Sequence, residues 1–126
     1  MLFRSGGAAK KNVLVYACSG GANVAEISDR AARELTFSGC GAMFCLAGIG
    51  AGIQGMVQTA KDADMNIVID GCQMDCARKI FDRAGVANYK QIKVTDLGIE
   101  KQKGVRCTQD QIDRVVEKAR ELIAQA

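Results

Sequence analysis

Cys72 and Cys76 stand four residues apart in the segment Asp70-Gly71-Cys72-Gln73-Met74-Asp75-Cys76. An apolar run before it, Asn66-Ile67-Val68-Ile69, reads as a buried strand. The stretch after it, Ala77-Arg78-Lys79-Ile80-Phe81-Asp82-Arg83, reads as a helix. Two thiols are therefore expected where a strand ends and a helix begins. Cys76 falls in the first helical turn, near the positive end of the helix dipole, the end that stabilises an anion such as thiolate. Thiolate is the form that binds metals and exchanges with disulfides. Cys18 and Cys45 occupy the same kind of strand-end position, so four of the six cysteines share one structural context.

The elements that must position these thiols alternate along the chain. Val13-Leu14-Val15-Tyr16 is the first expected strand, and a helix follows from about Val24 to Phe37. Ala42-Met43-Phe44-Cys45-Leu46 is the second strand; it leads through Gly48-Ile49-Gly50-Ala51-Gly52 into a short helix from about Ile53 to Ala63. The third strand is Asn66 to Ile69, and its helix ends at Gly85. Residues 90–95 alternate in polarity and read as a fourth strand near an edge. A loop over 97–107 then reaches the last helix, where Thr108 and Gln111 form a capping-box pattern and Ile112, Val115, Val116, Ala119, Leu122 and Ile123 make one apolar stripe. Strands alternating with helices imply a parallel sheet covered on both faces. The expected fold is a compact three-layer α/β/α domain, Rossmann or flavodoxin-like, with a mainly parallel four-stranded sheet. Residues 1–11 form an N-terminal tail and 12–126 one domain.

In such sheets, ligands gather beyond the carboxyl ends of the strands. Cys18, Cys45, Cys72 and Cys76 all map to that end. With strand order 2-1-3-4 the three strands are neighbours about 4.8 Å apart, close enough for their loops to bring four sulfurs to about 2.3 Å from one zinc ion. Cys40 falls at the opposite end. Cys107 ends the long loop leaving the fourth strand, on the same side as the four, and is a possible fifth or substitute thiol.

Composition removes several other classes. Histidine is absent, so a metal site must be built from cysteine or carboxylate. A net charge of +3 over 126 residues is small and evenly spread, which argues against a nucleic-acid partner. Lys10-Lys11 and Lys101-Gln102-Lys103 read as ordinary solvated charges. Residues 1–11 lack an apolar core of signal-peptide length, and no run approaches a membrane span. A cytoplasmic protein with no membrane partner is expected, in which cysteines serve metal or redox chemistry before structural disulfides.

Ala17-Cys18-Ser19-Gly20, Ile27-Ser28-Asp29-Arg30, Phe44-Cys45-Leu46-Ala47-Gly48-Ile49-Gly50, Ile69-Asp70-Gly71-Cys72, Cys76-Ala77-Arg78-Lys79 and Thr95-Asp96-Leu97-Gly98 follow one another through most of residues 12–98. In these segments the chain resembles the DGC-domain family, small proteins taken to bind zinc and named for a central Asp-Gly-Cys. The resemblance implies four chelating cysteines, mapping onto Cys18, Cys45, Cys72 and Cys76, with zinc as the cofactor. It implies no reaction.

Other chemistries remain open at this level. Gly50-Ala51-Gly52-Ile53-Gln54-Gly55 fits the dinucleotide fingerprint G-x-G-x-x-G, with Asp70 twenty residues on as a ribose-binding acid. Cys72 and Cys76 could act as a thiol redox pair, although their spacing is looser than C-x-x-C. Cys18 before Ser19-Gly20-Gly21 faintly resembles a phosphatase nucleophile, but no arginine follows in that loop. Four cysteines also suit an iron–sulfur cluster.

Overall fold

The computed structural model describes residues 11–126; the expected tail over 1–11 thus lies, except for Lys11, outside the described residues. Val13–Ala17 forms β1 and Asn23–Phe37 forms α1, followed by β2 (Ala42–Met43), α2 (Leu46–Gly50) and α3 (Gln54–Asp62). Then come β3 (Met65–Asp70), α4 (Cys76–Ala84), β4 (Tyr89–Lys93), a 3-10 turn at Val94–Leu97 and α5 (Gln109–Ala124). The sheet is parallel throughout, in the order β2-β1-β3-β4. Its register pairs Val13 with Met65 and Asp70 with Lys93, so the strand ends are nearly level.

The period-two alternation of a strand explains the three layers. Val13 and Val15 of β1, with Met65, Ile67 and Ile69 of β3, face α1 and α5, where Ile27, Leu35, Ile112 and Val115 complete one core. Leu14, Tyr16 and Val68 face the other way, onto Ile49, Ala60, Ala77 and Phe81 from α2, α3 and α4. Both faces of β3 are covered, and all six of its residues are buried. The outer strand β4 buries only Ile92, the pattern of an edge. The capping box of α5 forms as expected: Gln111 N–H donates to Thr108 Oγ1 at 3.3 Å, and Thr108 N–H to Gln111 Oε1 at 3.0 Å.

Aromatic rings fasten α4 to the sheet. Tyr16 meets Phe81 edge-on with centroids 4.6 Å apart, and Phe81 meets Tyr89 at 5.6 Å. The Tyr16 hydroxyl, buried under these rings, donates to Asn66 Oδ1 at 2.9 Å; Asn66 Nδ2 in turn donates to the Ala60 carbonyl at 2.8 Å and the Asn88 carbonyl at 3.0 Å. A polar residue thus sits inside a buried strand because all its hydrogen-bonding atoms on the side chain are engaged.

The main departure from expectation lies after β2. The strand was expected to reach Leu46, but β2 ends at Met43, with one further ladder-like bond from Phe44 N–H to the Val15 carbonyl at 2.9 Å. Residues 46–50, expected to be strand end and glycine loop, wind into α2 instead. A short apolar run does not distinguish strand from helix by its pattern. Packing decides it here, because the helix turns Ile49 down beneath α4. The fourth strand likewise stops at Lys93 rather than 95, and the chain coils into the 3-10 turn that buries Val94.

Asn66→Leu should strand the Tyr16 hydroxyl without a partner and remove the side-chain bonds to the Ala60 and Asn88 carbonyls, each of which keeps another donor. It is expected to cost about 3 kcal/mol, as for two or more unmade buried hydrogen bonds, read as a lowered urea midpoint at unchanged slope. Tyr16→Phe, which orphans only Asn66 Oδ1, should cost less.

Candidate functional site

Cys18 follows β1, held by its own N–H to the Ile69 carbonyl at 3.0 Å. Its Sγ accepts the Gly71 N–H at 3.1 Å and lies 3.6 Å from Ser28 Oγ, whose hydroxyl donates to the Val24 carbonyl. Burial pushes the Cys18 thiol up from its ordinary value, with the hydrogen bonds of Ser28 and Gly71 opposing and the nearby charges of Asp70 and Cys76 adding to the rise. Gly71 is a close-approach position. A Cβ there would lie 3.0 Å from the Val24 carbonyl carbon and oxygen, so only glycine lets the end of β3 pass against the first turn of α1. That approach sets Gly71 N–H on the Cys18 sulfur.

Asp70 ends β3 almost wholly buried, and both carboxylate oxygens are occupied. Oδ1 accepts from Ala77 N–H at 2.7 Å; Oδ2 accepts from Arg78 N–H at 3.1 Å and Gln91 Nε2 at 2.9 Å. The carboxylate therefore closes over the first turn of α4, satisfying N–H groups that a helix start leaves unpaired. Cys76 opens α4 as the sequence suggested, but the positive end of that dipole is met by Asp70. The same bonds engage both oxygens of Asp70, the group that a ribose-binding acid would offer.

Between them, residues 72–75 fold into a tight turn in which Asp75 N–H donates to the Cys72 carbonyl at 3.2 Å. Asp75 has φ 54°, the one positive value at a non-glycine residue among those described. Three side chains hold it there: Lys93 Nζ at 3.0 Å, Arg78 Nη2 at 2.9 Å and Gln91 Nε2 at 2.8 Å. Lys93, followed by Arg78 and Gln91, holds the Asp75 carboxyl well below the usual carboxylate range.

Cys18, Cys72 and Cys76 line one cavity of about 590 Å³ at the carboxyl end of the sheet. Cys45 is exposed at the start of α2, where its Sγ accepts the Gly48 N–H at 3.4 Å; its neighbours Leu46 and Ala47 line the cavity. Expected to end a strand, Cys45 is instead a helix cap. Cys107 does not line the cavity. Its backbone N–H faces Glu26 Oε1 at 3.5 Å, beside α1, and burial, then the Glu26 charge, pushes its thiol up. Cys40 packs at the far end of α1, its sulfur 3.4 Å from Ser38 Oγ. Among the described residues, no three Cys, Asp or Glu side chains are gathered closely enough to hold a metal ion. The donor chemistry still suits a thiophilic cation: thiols from separate elements line one cavity, and one of them, Cys18, already receives a backbone N–H bond, as does Cys45 at the start of α2.

Lys101, expected to be an ordinary solvated charge, sets its Nζ 3.5 Å from Cys72 Sγ. Nothing in the sequence nearby signals this contact, because Lys101 comes from a loop across the sheet. The glycine fingerprint fares differently. Gly50 closes α2, Gly52 turns the chain with φ +73°, and Gly55 lies in the first turn of α3, so no strand runs directly into the motif. Gly50, Gly52 and Gln54 line a separate cavity, with Lys61 and Arg83, that Asp70 does not line. The strand–turn–helix context that the dinucleotide motif requires is absent there.

A family model described as the DGC domain matches residues 14–119. The chain is also similar to the anaerobic and virulence modulator AnvM of Pseudomonas aeruginosa, 29% identical over 102 residues that cover 81% of this chain and 78% of that protein. No solved structure matches the chain.

Asp75→Asn tests the clasp around the 72–75 turn, since asparagine tolerates the left-handed backbone and removes only the charge. A carboxyl whose folded-state pKa is depressed contributes stability above its unfolded value, about 3.9, and loses that contribution as pH falls. The variant should therefore melt lower than the parent at pH 7, and the gap should close as thermal scans move below about pH 4.

Proposed function

The chain belongs to the DGC-domain family, and on that premise we propose that it binds zinc through Cys18, Cys45, Cys72 and Cys76. One observation carries this reading: thiols from β1, β3 and the start of α4 line a single cavity at the sheet end where α/β domains bind ligands. Cys45 is the fourth ligand because its cap position directly precedes Leu46 and Ala47, which line the cavity.

The protein's own groups support a cluster of thiolates at this place. Gly71 and Gly48 N–H groups each point at a sulfur, and Lys101 adds a positive charge beside Cys72. A four-thiolate zinc site carries a formal charge of −2, which such donors offset. Bound there, zinc would supply a closed coordination sphere with no open position, suited to a structural or metal-handling role rather than hydrolysis.

Protein purified without added metal, then reduced and offered zinc, should hold about one zinc per chain by elemental analysis; uptake of none would overturn the proposal. Cys72→Ser and Cys76→Ser should lower the content sharply, Cys18→Ser nearly as much, and Cys40→Ser should leave it unchanged. Zinc retained by Cys45→Ser but lost by Cys107→Ser would move the fourth ligand to Cys107.

Chelation should lower the melting temperature while leaving the far-ultraviolet circular dichroism largely intact, because the sheet is covered on both faces without any metal. Collapse of the helical signal on chelation would mark a metal-nucleated fold.

A further inference from the structure

The cavity that the thiols line is larger and more apolar than a metal site requires. Its other walls are Val24 and Ala25 from α1, Leu46 and Ala47 from α2, Ile80 from α4, and Met74 from the turn between Cys72 and Cys76. Its volume, about 590 Å³, falls in the range of small-molecule pockets. Met74 is 60% exposed, a flexible thioether free to close on whatever enters.

Its thiols apart, the ionisable side chains at this cavity are of one sign. Lys101 and Lys103 both line it, and no acidic side chain does. Among the described residues neither ammonium pairs with a carboxylate; the polar contact of Lys101 is with Cys72 Sγ. Nor are the two lysines merely trailing on a loop. Their segment is stitched to the start of α1: Asn23 N–H donates to the Gln102 carbonyl at 3.0 Å, Asn23 Nδ2 to the Glu100 carbonyl at 2.9 Å, and Gln102 N–H to Asn23 Oδ1 at 2.6 Å. Gly104 N–H bonds to the Gly21 carbonyl at 3.0 Å, and Lys103 bridges Ala22 as an isolated antiparallel pair. The backbone thus fixes two cations beside an apolar hollow.

We propose that this cavity binds a small organic acid, an apolar body carrying one carboxylate, with the body against Val24, Ala25, Leu46, Ala47 and Ile80 and the carboxylate met by Lys101 and Lys103. An uncharged apolar molecule would leave the lysines unanswered. A polyphosphate would need more polar partners than the walls offer, where Ser19 is the one hydroxyl, since burying charge without them is costly. This assignment goes beyond the metal reading and does not depend on it.

The test uses decanoate as probe, with decan-1-ol as the uncharged molecule of the same length, titrated calorimetrically into the intact protein, both zinc-loaded and chelated. Decanoate should bind at least about tenfold more tightly than decan-1-ol, the worth of one charge-assisted contact. Lys101→Met together with Lys103→Met, at exposed positions where folding is not at stake, should erase that preference while decan-1-ol binding is kept. Ala47→Phe, an exposed site on the cavity wall, should weaken both. Equal binding of the two probes, no binding of either, or a decanoate preference that survives loss of both lysines would each overturn the proposal. Zinc content, measured in parallel, bears on the metal reading alone: protein that takes up no zinc but prefers decanoate upholds this inference and refutes the other.

Discussion

The carboxylate of Asp70 is buried at the last residue of the central strand, and the geometry of the thiol end depends on where its charge is satisfied. A buried carboxylate must find donors or be expelled. Asp70 finds them in the first N–H groups of α4 and in the Gln91 amide of β4. One side chain therefore ties the end of β3 to the beginning of the next helix and to the edge strand. The intervening turn has little freedom left, so Cys72 and Cys76 are presented by a loop closed at both ends. The aspartate of the Asp-Gly-Cys motif is a positioning residue, and its chemistry lies in fixing backbone.

The two residues that flank Cys72 and Cys76 within this turn act in opposite senses. Gly71 contributes by lacking a side chain, which lets β3 reach α1 and hand an N–H to Cys18. Asp75 contributes by having one: its carboxylate gathers Lys93, Arg78 and Gln91, and those bonds hold a left-handed backbone that an ordinary residue avoids. Between them the chain reverses from strand to helix in a few residues. Thiols carried on such a turn are positioned by the fold's own hydrogen bonds and ion pairs.

The segment from Gly98 to Cys107 completes the picture. It has no regular secondary structure apart from its single bridge, yet buried Asn23 holds it at both the 100 and 102 positions. Its lysines stand at the carboxyl end of the sheet, lining the same cavity as Cys18, Cys72 and Cys76. Thiols and lysines line the same largely apolar hollow, so the groups proposed to meet a soft metal and an anion are neighbours.

Much of this arrangement was legible in the residues. Alternating apolar runs and amphipathic stretches determine a parallel α/β sheet because those periods are local properties of strand and helix, and the order 2-1-3-4 follows once the thiols are taken to meet. The Thr108–Gln111 capping box was readable for the same reason: its partners are three residues apart. Tertiary structure alone decided the rest. Residues 46–50 became helix because Ile49 found a place under α4, which their short apolar run did not specify. Cys45 thereby changed from strand end to helix cap, and Cys107 was drawn to Glu26 instead of the cavity. Lys101, Asp75 and Gln91 gave no signal, since each acts on a partner brought near by the sheet and not by the chain. Sequence determines what is set by neighbours within a turn or two; the meeting of side chains from different strands depends on distances that only the packed sheet fixes.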